Sequence, residues 1–364
     1  MANIAIVLHD LRAGGAEKMM VRLANQLLAE GDKVSLILLG AGGENRAYIK
    51  SKIHLVELDC ERTLHGFIPL RNTLKTIAPD AVLSVLTHIN VVSALVCFSL
   101  GWQKRLSMSE RNTFSCDKKR NADLIMKLAY YFAPFIYRAA SKPVIAVSEG
   151  VKEDLVSSTI VKTKDIVTAP NPVISDDIIK AAENKPSHPW LLHKHSKTVI
   201  SVGRLAHQKG FDILIQAFSE VLKVYDCKLI IFGEGELRNT LQAQANDLGI
   251  TANVSLAGYC DNPIAEIKAA DLYVLSSRFE GSPNALVEAM SVNTPVLAFD
   301  CPHGPREILQ GNSSNALVAN QSVSALVDAM LTTMKSSSRP DYEAQTKQFH
   351  SGVSAQIYRR LLLS

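Results

Sequence analysis

The sequence predicts an α/β protein built from two doubly wound parallel-sheet domains in tandem. Three observations carry this. Short apolar runs alternate with amphipathic helical stretches along the whole chain. The runs are rich in Val, Ile and Leu without strict polar alternation, as strands covered on both faces require. The rhythm breaks once, at residues 168–177, and then restarts. With 364 residues, the chain has room for two domains of about 150 each.

"NIAIVLH" reads as a strand. "GGAEKMMVRLANQLLAEG" reads as a helix, with Met, Val and Leu at helical spacing and Gly31 as its stop. "KVSLILLG", "DAVLSVL", "KRLSMS" and "PVIAVS" supply further strands in a β-α-β order. The uncharged stretch at 81–102 is long enough to span a bilayer. Thr87, His88 and Asn90 sit in its middle, where polar groups are expensive in lipid. A strand to Leu86, a polar turn and a helix from Val91 fit it better. At the break, Pro170 and Pro172 bias their neighbours away from helix, so 168–177 reads as a linker. The second domain then runs from "KTVISVGRL" through "CKLIIFGEG", "NVSLAGY", "DLYVLSS" and "TPVLAFD", with helical stretches between, and the tail from "YEAQTKQFH" reads as helical.

Composition narrows the function. At 47% hydrophobic and 20% charged, the chain can bury two cores and is not disordered. A net charge of +4 is too small to argue for nucleic acid. Six cysteines without a CxxC pair point to reduced thiols in the cytosol rather than disulfides or zinc. "MANIAIVLHD" lacks a basic leader and a cleavage site, so no signal peptide is expected.

The stretch "RFEGSPNALVEAM" places Glu280 and Glu288 with seven residues between them. Ser282 reads as an N-cap and Pro283 as the first helical residue. A helix N-terminus following a strand is an anion site. Glu288 then lies roughly 9 Å along the axis, at ~1.5 Å per residue. Carboxylates repel phosphate but accept from hydroxyls. The spacing suits an elongated ligand with a polyol at each end and negative charge between, the layout of a nucleotide sugar. "SVGRLAHQKG" follows the first strand of the second domain. It sets Gly203 in a tight turn and Arg204 and Lys209 on a strand–helix loop, where cations meet a diphosphate. "FGEGEL" puts Gly233 and Gly235 after another strand, suited to close approach of backbone to the nucleotide, although it is not GxGxxG. Gly14 and Gly15 stand between the first strand and helix, where backbone N–H groups can approach a phosphate or sugar. Each of these has a plain alternative: a solvated loop, surface charge or a tight connection.

Taken together and in order, GGAE at 14–17, APNPV at 169–173, SVGRL…QKG at 201–210, FGEGEL at 232–237, EGSPNALVEAM at 280–290 and PREIL at 305–309 resemble the retaining glycosyltransferases of family 4, which have the GT-B fold. The resemblance implies two Rossmann-like domains facing a cleft: an acceptor-side domain at 1–170 and a nucleotide-sugar domain at 173–340, with a helix at 345–364 packing back on the first. It implies that Arg204 and Lys209 bind the donor diphosphate, Glu288 the ribose hydroxyls and Glu280 the donor sugar. Backbone around Asn284, Ala285 and Leu286 would meet phosphate or sugar, and Gly14 and Gly15 would line the cleft. UDP is the nucleotide expected from the family, with GDP the alternative. Retention of configuration follows from the resemblance alone. Cations and a helix N-terminus already face the departing diphosphate and no Asp-x-Asp pair is present, so no metal is expected.

Many family members carry a first-domain histidine near the reacting carbon. The comparable stretch here, "LSMSERN" at 106–112, has none, and Glu110 is the candidate acceptor-side group. His88 and Asn90 are further residues at a strand end. Residues 101–142 carry nine Lys/Arg (Lys104, Arg105, Arg111, Lys118, Lys119, Arg120, Lys127, Arg138, Lys142) against three acids, and hold Tyr130, Tyr131, Phe132, Phe135 and Tyr137. Cations beside aromatics suit an anionic membrane surface; a core helix with a solvated basic face is the competing reading. The expected partners are therefore a nucleotide-sugar donor, a lipid-linked glycan or lipopolysaccharide-type acceptor and the inner leaflet of the cytoplasmic membrane, with no nucleic acid. A sugar-nucleotide epimerase of the same fold and a non-catalytic partner subunit are the alternatives. A dehydrogenase is not, since neither domain shows GxGxxG followed by an acid about 20 residues on.

Overall fold

In this computed structural model the described residues are all but 13, 61, 121–122, 312–315 and 337–338, with the backbone alone of Leu64 and Arg120. The chain divides into an amino-terminal unit, Met1–Val173 with Gln348–Ser364, and a carboxy-terminal unit, Ile174–Lys347.

The amino-terminal unit holds seven strands: β1 (Asn3–Leu8), β2 (Lys33–Leu38), β3 (His54–Glu57), β4 (Ala81–Val85), β5 (Leu106–Glu110), β6 (Val144–Ala146) and β7 (Ile166–Thr168). They form one sheet in the order β3-β2-β1-β4-β5-β6-β7, parallel throughout. Ile4 to Leu8 of β1 are wholly buried because helices cover both faces of the sheet, which is why the run shows no alternation. Chain direction across the sheet reverses between β1 and β4, where ligands bind in such folds. Helix α1 (Gly15–Ala29) follows β1, α2 (Thr87–Leu100) follows β4, and α3 (Leu124–Ala139) lies between β5 and β6.

The helix expected from Val91 starts at Thr87. The polar residues of that stretch sit in its first turn because each finds a partner there: Thr87 Oγ1 donates to Glu110, and Asn90 Nδ2 to the Ser109 carbonyl. Among the described residues no helix is long and apolar enough to cross a membrane.

The carboxy-terminal unit has six strands: β8 (Lys197–Val202), β9 (Cys227–Phe232), β10 (Val254–Gly258), β11 (Leu272–Leu275), β12 (Val296–Phe299) and β13 (Leu317–Val318). Their order is β10-β9-β8-β11-β12-β13, again parallel, with the reversal between β8 and β11. Helix α4 (Phe211–Leu222) follows β8 and α5 (Asn284–Ser291) follows β11. The core of this unit packs Leu214, Ile215 and Phe218 of α4 against Val199, Leu229 and Leu272 of the sheet.

The tail is broken rather than continuous: a short turn of helix at Glu343–Thr346, then α6 (Ser351–Leu363). Helix α6 belongs to the amino-terminal unit and packs on α1. Ser354 Oγ donates to the Pro170 carbonyl, and Arg359 Nε to the buried Asp32 at 2.7 Å.

Candidate functional site

In the carboxy-terminal unit the site grows from two loops at the carboxyl ends of β8 and β11. The first runs from Gly203 through the turn His207–Lys209 to Gly210, which opens α4. Gly210 has φ +63°, and a Cβ there would lie 2.0 Å from the Ser276 carbonyl oxygen, so only glycine fits. The second loop runs from Ser276 to Pro283. Several bonds staple the two. Ser276 Oγ donates to the Lys209 carbonyl at 2.9 Å, and Arg278 N–H to the Gln208 carbonyl at 2.7 Å. Gln208 Nε2 returns a bond to the Phe279 carbonyl, and Arg278 Nη1 donates to the His207 carbonyl.

The staple brings Lys209 to Glu280. Nζ lies 2.6 Å from Oε1, and Ser277 Oγ donates to the same oxygen at 2.6 Å. Glu280 is 5% exposed. Lys209 is less covered, and its methylene stem runs past Gly203, where a Cβ would meet it at 3.3 Å. Glu288 is buried on α5. Arg204 is exposed and makes no ion pair among the described residues. Tyr273 of β11 is completely buried, and its hydroxyl has no hydrogen-bond partner among the described residues. Burial, then the charges of Glu280 and Glu288, push its phenol well above the ordinary range. Lys209 and Glu280 thus meet across the loops that continue β8 and β11, and Glu280 and Glu288 both act on the buried Tyr273, while Arg204 stands exposed on the loop after β8.

One expectation needs correction. Helix α5 begins at Asn284, with Pro283 at its N-cap position and no side-chain cap, so Ser282 does not cap it. Pro283 is held extended, packed where Gly304 of the loop after β12 leaves room; a Cβ on Gly304 would stand 2.6 Å from Pro283 Cδ. Glu288 is therefore about 7.5 Å from the cap rather than 9. The Leu286 N–H already donates to the Pro283 carbonyl, while Asn284 and Ala285 are half-buried. The close approach that demands glycine at 233 is to the chain itself: with φ +141°, a Cβ would lie 1.9 Å from the Gly203 carbonyl oxygen. Gly233 shapes the loop that carries Arg204.

In the amino-terminal unit, Gly14 and Gly15 stand at the start of α1, and Gly15 is exposed. Glu17 folds back over this turn; a Cβ on Gly14 would lie 1.9 Å from Glu17 Oε2. Burial raises the Glu17 pKa against the pull of its own backbone amide, Arg12 and Arg111. His9 and His88, at the carboxyl ends of β1 and β4, pack edge to face at 5.6 Å. Burial and the neighbouring His9 lower His88 to about 4.

Glu110 is not at an open surface. It is 4% exposed and accepts bonds from Thr87 Oγ1 at 2.9 Å, from Tyr137 OH, and from Asn90 Nδ2 at 3.5 Å. Burial raises its pKa to about 7. The basic segment divides as well. Arg111 is buried against Asn171 and Tyr358, Arg138 pairs with Asp165, Lys142 caps the Leu362 carbonyl, and Arg105 lies over Trp102. The Arg120 side chain lies outside the described residues. Lys104, Lys118, Lys119 and Lys127 are exposed. Helix α3 buries Tyr130, Ala133, Pro134 and Tyr137 and exposes Leu124, Leu128, Tyr131, Phe132 and Phe135, the last three at 59, 50 and 52%.

Residues 13–177 match the model of the Glycosyltransferase Family 4 domain, and residues 182–349 that of the Glycosyl transferases group 1 domain. An uncharacterized glycosyltransferase of Methanocaldococcus jannaschii is 39% identical over 190 residues, 51% of this chain and 45% of that one, so the match spans under half of that relative. The N-acetylgalactosamine-N,N'-diacetylbacillosaminyl-diphospho-undecaprenol 4-alpha-N-acetylgalactosaminyltransferase of Campylobacter jejuni is 26% identical over 349 residues, 92% of this chain and 91% of that one. Among solved structures, Anabaena HepE in complex with UDP and glucose superposes with a TM-score of 0.79 at 19% identity, over the full length of both chains.

Proposed function

Because the chain belongs to the glycosyltransferases that join a family 4 domain to a group 1 domain on the GT-B fold, we propose that it moves a hexose or N-acetylhexosamine from a nucleotide sugar to a lipid-linked glycan or lipopolysaccharide-type acceptor, with retention of configuration. The observation that carries this is the meeting of Lys209 with Glu280 on two stapled loops, in the unit that also presents Arg204 and buries Glu288.

The chemistry follows from the charges. Breaking the glycosyl–phosphate bond places negative charge on the departing diphosphate. Lys209, Arg204 and the N-terminus of α5 stabilise that charge more in the transition state than in the ground state. Glu280 accepts from hydroxyls of the donor sugar and Glu288 from those of the ribose. The leaving phosphate helps to take the acceptor proton, in keeping with attack from the face it leaves. Side-chain cations supply the charge, so the enzyme works without a metal; activity that disappears in chelator and returns with magnesium overturns this.

UDP is the nucleotide of choice, supported by the UDP held in the HepE complex. A lipid-diphosphate-linked acceptor is supported by the Campylobacter relative, a diphospho-undecaprenol 4-alpha-N-acetylgalactosaminyltransferase. Work on such an acceptor places the protein on the inner face of the cytoplasmic membrane. The apolar face of α3, with Lys118, Lys119 and Lys127 nearby in sequence, supplies charge and surface for anionic lipid. The test is a panel of UDP- and GDP-sugars with lipid-extract acceptor, read by nucleotide release, with product configuration read by NMR. Free epimerised nucleotide without acceptor, or an inverted product, refutes the reading.

A further inference from the structure

We propose that Lys209 and Glu280 form an exchange pair that distinguishes a sugar-charged nucleotide from a spent one. The inference rests on the donor reading above. Without ligand, the ammonium of Lys209 is already neutralised by Glu280 at 2.6 Å. A diphosphate gains that cation only by drawing it away. Glu280 is then a carboxylate, 5% exposed, that has lost its ion-pair partner, a costly state. A nucleotide sugar restores the loss, because a sugar hydroxyl reaching Glu280 donates to it. A nucleoside diphosphate brings no such hydroxyl. Binding of the two halves of the donor is thereby coupled through one pair of side chains. Once the sugar has left, Glu280 reclaims Lys209 and weakens the hold on the product.

The surroundings suit such an exchange. The Lys209 carbonyl is held by Ser276 Oγ and Gly210 fixes the turn, so the backbone stays while the side chain moves. Gly203 leaves a track for the methylene stem. Ser277 Oγ keeps the Glu280 carboxylate in place when the lysine departs.

Isothermal titration of the full chain with UDP, GDP, UDP-glucose, UDP-N-acetylglucosamine and GDP-mannose tests this. Glu280→Gln releases Lys209 in advance. The variant is expected to bind the matching nucleoside diphosphate about tenfold tighter than the native chain, the factor that 1.4 kcal/mol represents. Its affinity for the nucleotide sugar does not rise in step, so the preference for the charged form collapses. Equal or weaker diphosphate binding by Glu280→Gln overturns the exchange while leaving the donor reading standing. A native chain that binds none of the panel overturns both. Should Glu280→Gln not fold, Ser277→Ala decides. With one donor fewer, Glu280 holds Lys209 harder, and diphosphate binding weakens several-fold; unchanged or tighter binding overturns the proposal.

Discussion

Arg278 grips Asp212 through both ends of its guanidinium, at 2.9 and 2.6 Å. The same Nη1 donates to the His207 carbonyl. The pair ties the start of α4 to the loop after β11, and the turn that carries Lys209 lies between them. Burial alone would raise the Asp212 carboxyl, but the bonds and charge of Arg278 outweigh it and hold the pKa below the usual range.

Arg278→Ala is therefore expected to loosen Lys209 without touching substrate. A misplacement of about 1 Å costs roughly 100-fold in rate, and kcat/KM should fall by about that much. Arg278→Lys, which keeps one bond to Asp212, should recover part of the loss. Steady-state kinetics beside circular dichroism checks this; a folded Arg278→Ala of native activity removes the pair from the account of the site.

Glu110 makes stability fall as pH rises. Its folded pKa is about 7, against an ordinary value of 4.5. Between those values the folded chain keeps a proton that the unfolded chain has released, so the slope of stability against pH is negative. The contribution is fully present below the ordinary pKa and lost through pH 7. Over that span it is worth about 3–4 kcal/mol at ~1.4 kcal/mol per pKa unit. Glu110→Gln should abolish the slope and be the more stable protein at pH 8. Urea unfolding from pH 5 to 8 measures it, and a variant with an unchanged slope contradicts the assignment.

Tyr273→Phe removes a buried hydroxyl that lacks a partner and faces the field of two carboxylates. An unsatisfied buried polar group costs about 1–3 kcal/mol. Phenylalanine should leave stability unchanged or raise Tm by roughly 2–4 °C per kcal/mol regained. A fall in Tm of several degrees would mean that the hydroxyl has a role the native packing conceals.

The long buried elements were legible in the sequence because pattern and burial agree there. β1, β2, β8 and β9 are apolar nearly end to end, and α4 shows helical spacing. β3 and β7 were not, being short strands near or at a sheet edge with only partial burial. Glu280, Glu288, Arg204 and Lys209 were readable as residue types in loops after strands. Their supports were not: Arg278 and Asp212 stand 66 positions apart in sequence, and no periodicity joins them. The surroundings of Glu110 were hidden for a different reason. A carboxylate ending a strand reads as a site residue, and only the packing of Tyr137 and Thr87 around it shows that it is enclosed.

The exposed face of α3 yields a prediction with two independent arms. Leu124, Leu128, Tyr131, Phe132 and Phe135 recur at helical spacing on the side away from Tyr130, Ala133 and Tyr137. Leu95 and Phe98, on the adjoining α2, are exposed as well. Large apolar side chains this exposed find no use in water, and each fully buried one is worth about 1.5–3 kcal/mol. Phe132→Ser with Phe135→Ser should cut binding to anionic phosphatidylglycerol vesicles at least about tenfold, since 1.4 kcal/mol already gives that factor. Lys118→Gln with Lys119→Gln should instead weaken it about thirtyfold at low salt and little at high salt, at roughly 1 kcal/mol per cation near the surface. Turnover of a water-soluble acceptor analogue should be unchanged in both, since all four side chains are exposed. Flotation measures the first property and nucleotide release the second. Native protein that does not float with anionic vesicles at low salt removes the membrane from the function and leaves α3 to be explained by a protein partner.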